Sequence, residues 1–274
     1  MELRAAALAA LQIAEPAAKV AAVRALSGAL FDTRSGIALD TTAALQPQAP
    51  LPGRPERPLL VEPKDVPRRT PFTPAGRAAL LHAVAHIEFN AINLALDAIW
   101  RFPGLPPAYY RDWLTVATEE AQHFTLLADH LATLGCAYGD HDAHDGLWTM
   151  CERTAHDVTA RMALVPRTLE ARGLDATPPM QARLAQAGDE AAVRILGVIL
   201  RDEVGHVAIG NRWYRWLCQR DGLDPVSHYA VLAARHGAPR PKGPFNRPAR
   251  AAAGFSAAEL EALDAPTATG TLRA

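Results

Sequence analysis

Cysteine is scarce in this chain: Cys136, Cys151 and Cys218 are three among 274 residues, an odd number without metal-type spacing. That argues against a disulfide framework or a zinc ribbon and suggests idle thiols in a reducing, cytoplasmic setting. Aromatic residues are few, at 6% of the chain. Neither sign of charge is in excess. Lys and Arg number 28 against 29 Asp and Glu, so no global field gathers nucleic acid. No stretch approaches about 18 uninterrupted apolar residues, and no membrane span is expected. Glu2 and Glu15 interrupt the alanine-rich N-terminus, which argues against a secretory signal. Alternation of apolar and polar residues with period two is also missing, so no sheet is expected.

What the chain does have is apolar content of 49%, enough for one sizeable core with appendages. Residues 1–31 are rich in Ala and Leu and read as a helical pair, with Pro16 opening the second helix. Residues 47–74 hold nine prolines, a density incompatible with a helix or a central strand. They read as an extended strap anchored by Leu59, Leu60, Val61 and Phe72. Thr73 and Pro74 then cap a helix to about Trp100, and a second runs from Pro107 to Leu134, stopped by Gly135. A third covers about 145–172 with a kink at Pro166. It is expected to break at "RGLDATPP", because of Gly173, Pro178 and Pro179, and to resume as 178–187. A fourth runs from about Asp189 to Arg220. Four long helices with short links predict an all-α bundle over 73–222, flanked by the arm 1–72 and a wrapping C-terminal tail, 223–274. The tail ends in a short helix with a Ser256/Glu259 capping-box pattern.

Polar residues interrupt two of the apolar stripes. On the second helix Glu120 and His123 share a stripe with Trp113, Val116 and Leu127; on the fourth, Glu203 and His206 share one with Ala192, Leu196 and Ile199. Burying an unpaired carboxylate costs several kcal/mol, so two such pairs require protons, counter-ions or metal. A bundle holding two metal ions takes one Glu from each of two helices and a Glu-x-x-His from each of the other two. Glu88 is the only glutamate between Glu62 and Glu119. On the third helix Glu152 and Glu170 compete. Glu88 precedes Glu120 by 32 residues and Glu170 precedes Glu203 by 33, whereas Glu152 would precede it by 51. Near-equal spacing, as in a duplicated hairpin, selects Glu170. The expected metal ligands are therefore Glu88, Glu120, His123, Glu170, Glu203 and His206. Four carboxylates with two imidazoles suit two iron ions, with manganese or a mixed pair as alternatives, over zinc. Glu119 and Asp202, one residue before each Glu-x-x-His, are expected to orient the histidines across the bundle.

At these residues the chain resembles the ferritin-like di-iron carboxylate superfamily. More narrowly, "LEARGLD" with "ILRDEVGHVAIGNRWY" resembles a bacterial ferritin-like family of unknown function, itself similar to tRNA-hydroxylating di-iron monooxygenases. The likeness spans roughly 70–222 and extends into the tail. It implies a ferritin-like four-helix bundle whose metal ligands fall on the same six positions, with Glu119 and Asp202 supporting them.

Three functional readings follow. The first is a non-haem di-iron oxidoreductase that activates dioxygen on a small organic substrate. Its electrons come from an external donor, since no G-x-G-x-x-G fingerprint appears. The second is non-catalytic: metal storage or a metal-stabilised fold, with a monomer or homodimer expected in either case. The third is action on RNA, suggested by Arg240, Lys242, Arg247 and Arg250 and by Arg54, Arg57, Lys64, Arg68 and Arg69; near-zero net charge weighs against it. His82, His86, His130 and His156 read as structural, and Tyr110, Tyr214 and Trp213 as packing.

Overall fold

A computed structural model describes residues 1–31, 37–66 and 69–264. The described residues are all-helical apart from isolated bridges. The helices are α1 (Leu3–Leu11), α2 (Pro16–Phe31), α3 (Pro74–Arg101), α4 (Pro107–Thr133), α5 (Gly146–Arg153) and α6 (Val158–Leu164). A π-helical segment (Val165–Glu170) leads into α7 (Ala171–Gln186), followed by α8 (Glu190–Arg220), α9 (Pro225–His236), α10 (Arg247–Ala252) and α11 (Ala257–Asp264). Four rods make the bundle: α3, α4, the α6–π–α7 composite and α8.

Local chemistry fixes most boundaries. Thr73 accepts from the Gly76 N–H at 3.2 Å, Asp157 from Ala160 at 2.9 Å and Asp189 from Ala192 at 3.0 Å, each satisfying a donor that a helix start leaves free. Gly135, at φ 70°, closes α4, and Gly188, at φ 75°, turns the chain between α7 and α8.

The α3 helix is long and apolar enough to cross a membrane by length and composition, yet 78% of that window is buried inside the protein. It is the central rod, packed by α1 on one side and α4 on another. It also carries buried Glu88, Asn90, Asn93 and Asp97. Asp97 takes hydrogen bonds from Arg101 (2.6 Å) and Trp100 Nε1 (3.2 Å) and an ion pair from buried Arg161. Burial pushes the Asp97 carboxyl up, but the two guanidiniums outweigh it and hold it below the usual range.

The strap lies against α3 and the 137–145 loop, but its anchors differ from those expected. Leu59 and Phe72 are 49% and 54% exposed; Pro52 and Pro58 are buried instead. Polar ties hold the rest: a Leu60–Ala143 bridge, the Arg54–Asp145 ion pair at 2.5 Å, and buried Lys19, whose Nζ reaches the carbonyls of Gly53 (3.0 Å) and Leu11 (3.3 Å) and the side chain of Asn93. A proline-rich segment offers many carbonyls and few donors, so cations secure it better than apolar contacts. Three acceptors match an ammonium, yet burial and Arg54 lower the Lys19 pKa to about 7. Of the basic residues noted in the sequence, Arg68 lies outside the described residues, and Arg250 is buried.

The third rod also departs from expectation. There is no break at "RGLDATPP": α7 runs through Gly173, Pro178 and Pro179, and the irregularity is the π-helical segment immediately before it, containing Pro166. The rod starts at Val158, with α5 as a separate helix. Proline breaks helices by stranding the carbonyl four residues earlier. Here the stranded group is satisfied: the Leu174 carbonyl, four before Pro178, accepts from Asn246 Nδ2 at 3.1 Å. In the π segment Thr168 Oγ1 donates to the Ala163 carbonyl at 2.8 Å. The wider turn also fits its neighbour. Gly210 on α8 lies so close to Pro166 that a Cβ there would sit 2.6 Å from the proline ring.

Candidate metal centre

Each bundle rod delivers one inward element: Glu88 from α3, Glu120 and His123 from α4, Glu170 at the end of the π segment, and Glu203 and His206 from α8. All six are buried. A three-residue step on a helix keeps side chains on one face, so each Glu-x-x-His pair addresses one point.

The two histidines are set in a crosswise pattern. His123 on α4 directs Nε2 to Asp202 of α8 at 3.1 Å, and His206 on α8 directs Nε2 to Glu119 of α4 at 2.7 Å. Both Nδ1 atoms therefore point into the centre. His123 Nδ1 lies 3.2 Å from Glu88 Oε2 and 3.4 Å from Glu120 Oε2; His206 Nδ1 lies 3.0 Å from Glu120 Oε1 and 3.6 Å from Glu203 Oε1. The rings are 5.8 Å apart, with Glu120 between them.

These inward atoms lack aligned hydrogen bonds. Both Nδ1 atoms, both oxygens of Glu120 and of Glu170, and one oxygen each of Glu88 and Glu203 are buried without a hydrogen-bond partner. Such atoms cost roughly 1–3 kcal/mol apiece when left unsatisfied, a cost that a bound cation could offset. Glu88, Glu120, His123 and Glu203 offer donor atoms within 4.8 Å of one another and could hold a metal ion. His206 and Glu170 flank that group.

The proton balance agrees. Burial, then the charge of Glu120, raises the Glu88 carboxyl well above the ordinary range; burial, then Glu203 and Glu120, does the same to Glu170. Glu203 is raised by burial and Glu120. Burial opposes ionisation of Glu120 as well, but contacts from His123 and His206 hold it low. Burial disfavours the imidazolium form of His123, yet Glu120 and Glu88 push its pKa up to about 11. His206 rises likewise, through Glu119, Glu120 and Glu203. Crowded acids with no cation thus take up protons, the charge a metal would supply instead. Donors of this oxygen-rich, two-imidazole type are compatible with a di-iron site.

The other histidines serve elsewhere. His82 accepts from the Gly139 N–H at 2.8 Å, His86 meets Tyr138 and Asn90 at 2.9 Å, and His130 pairs with Asp189 at 3.0 Å. Glu152 accepts from Trp148 Nε1 at 2.9 Å, within its own helix. The burial of Arg161, Arg167 and Arg250 is not visible in the sequence, where Arg250 reads as part of a basic tail. Arginine is ordinarily a surface residue, and only partners distant in sequence reveal an inward one.

Fold and centre together define an all-helical bundle protein with a buried carboxylate–imidazole cluster suited to divalent metal. Within that class the chain belongs to the family described as "Protein of unknown function (DUF455)", whose pattern matches residues 12–261. It is 51% identical over 259 residues to a protein of Haemophilus influenzae (strain ATCC 51907 / DSM 11121 / KW20 / Rd) named "Uncharacterized protein", covering 92% of this chain and 90% of that one. No solved structure matches the chain.

Proposed function

We propose that the protein is a ferritin-like non-haem oxidoreductase carrying two iron ions, with manganese or a mixed pair as the alternative, and that it acts on a small organic substrate with dioxygen. The observation that carries this reading is the crosswise histidine arrangement around buried, unpartnered carboxylate oxygens. Bound iron supplies the redox equivalents that activate dioxygen.

The chain's own residues do the rest. Glu88, Glu120, His123 and Glu203 would hold one ion, with His206 and Glu170 beside them for a second. Asp202 and Glu119 fix each imidazole with its Nε2–H directed outward and its Nδ1 lone pair inward, the form that ligates metal. Ala91, Ala95, Val116, Ala117 and Ile199, buried on the same stripes, keep bulk water from the cluster. Electrons would come from an external donor. A storage cage needs free outer helix faces for assembly, whereas the N-terminal helices and the C-terminal segment cover the bundle here.

The test is elemental analysis of protein purified from its own host, followed by oxygen uptake with a chemical reductant. Two irons or manganese per chain and reductant-dependent uptake support the reading. Two bound ions with no uptake would leave storage or structural support, and no bound transition metal would refute metal binding.

A further inference from the structure

The two halves of the centre are braced by different ends of the chain. Glu88, Glu120 and His123 sit on α3 and α4, which α1 and α2 cover. Glu170 is held quite differently. Neither of its oxygens has a hydrogen-bond partner, so its side chain is directed by the backbone alone. That backbone is a π segment entered through a proline, and it continues into a helix containing two more. Such a segment needs outside support.

The C-terminal segment grips it on both sides of Glu170. Before the glutamate, buried Arg167 reaches Glu259 on α11 at 2.5 Å and Asn211 on α8 at 2.6 Å. Its guanidinium lies about 5 Å from the rings of Tyr214, Tyr229 and Phe255. Tyr229 on α9 meets Thr168 at 2.9 Å. After it, buried Arg250 on α10 pairs with Asp175 at 2.6 Å and donates to the Ala171 carbonyl at 3.3 Å, while Asn246 takes the Leu174 carbonyl that Pro178 leaves free. A small core of Ala171, Leu174, Val207, Ala253, Phe255 and Leu260 closes the contact. Glu259 is held a second time by Arg215 at 2.9 Å.

We propose that residues 225–264 form a latch that sets Glu170 through Arg167, Glu259 and Arg250, and so controls occupancy of the second metal position while leaving the first intact. This rests on the two-metal reading. Arg167, Glu259 and Arg250 are positioning residues, since none of them reaches the cluster.

Full-length wild type, Glu259→Ala, Glu259→Gln and Arg250→Ala are titrated with Fe(II) or Mn(II) and analysed for bound metal, with amide hydrogen exchange read across 165–176. Glu259→Ala and Arg250→Ala are expected to retain one ion per chain, bind the second about tenfold more weakly or worse, and exchange faster in that window. Glu259→Gln, which keeps hydrogen-bonding capacity toward Arg167, is expected to recover the second ion at least in part. Two ions bound with wild-type affinity in Glu259→Ala would overturn the latch, as would loss of both ions together. Wild type that binds no ion would instead sink the two-metal reading itself, before any variant is compared.

Discussion

Glu170 offers the sharpest test of whether function here opposes stability. Its carboxyl is buried, both oxygens lack partners, and burial together with Glu203 and Glu120 keeps it protonated well above the ordinary range. In metal-free protein it is a cost with no local return. Glu170→Met fills a similar volume without the polar atoms. Replacing a buried, unpartnered polar group by an apolar one of like size removes its desolvation cost, about 1–3 kcal/mol. At ~2–4 °C per kcal/mol for a chain this long, the metal-free Tm should rise by roughly 2–12 °C. The metal-loaded wild type gains stability by mass action, about 2.7 kcal/mol when the free ion stands at 100 times its Kd. The variant should lose much of that gain. Paired thermal melts, with chelator and with saturating Mn(II), read both effects. A metal-free variant that melts at or below wild type, or one whose metal-induced shift is undiminished, would refute the reasoning.

Three further outcomes follow from the same geometry. Asp202→Asn and Glu119→Gln should each weaken metal binding about 10–100-fold with helix content unchanged, because they release the tautomer of His123 or His206; equal affinity by competitive titration would argue against that role. Gly210→Ala should destabilise by about 1–3 kcal/mol despite alanine's better helix propensity, because its methyl meets the Pro166 ring; a more stable variant by urea unfolding would show the contact to be soft. Burial lowers the pKa of both His82 and His86 to about 4. Between there and the unfolded value near 6.5 the unfolded chain binds more protons, so stability should fall as pH drops through that window. Each histidine adds about 1.4 kcal/mol per pH unit to the slope, and His86→Gln should remove its share in urea titrations at pH 5 and 6.

Much of the centre was legible in the linear order. Glu-x-x-His on an apolar stripe is a contradiction that only buried compensation resolves, and its recurrence at near-equal distance from Glu88 and Glu170 pointed to six side chains, all of which the fold buries. Thr73, Asp189 and Gly135 marked helix ends because capping is local chemistry, decided within four residues. The Ser256/Glu259 capping box formed as its spacing indicated, with Glu259 Oε2 2.7 Å from the Ser256 amide. The third rod was misread because Pro178 breaks a helix less readily when another donor takes the carbonyl it strands, and Asn246, which takes that of Leu174, lies far along the chain. Likewise Leu59 and Phe72 promised apolar anchorage that Lys19 and Arg54 supply with charge.

Periodicity by itself determined that the chain is helical, which faces are apolar and which acids are trapped on them, because these follow from 3.6 residues per turn. Only the tertiary structure decided where the π turn falls, which end of the chain braces which half of the cluster, and that buried arginines hold the tail in place. Those depend on contacts between residues some 70 to 100 positions apart, whose free energy is set by mutual burial and leaves no mark on local sequence.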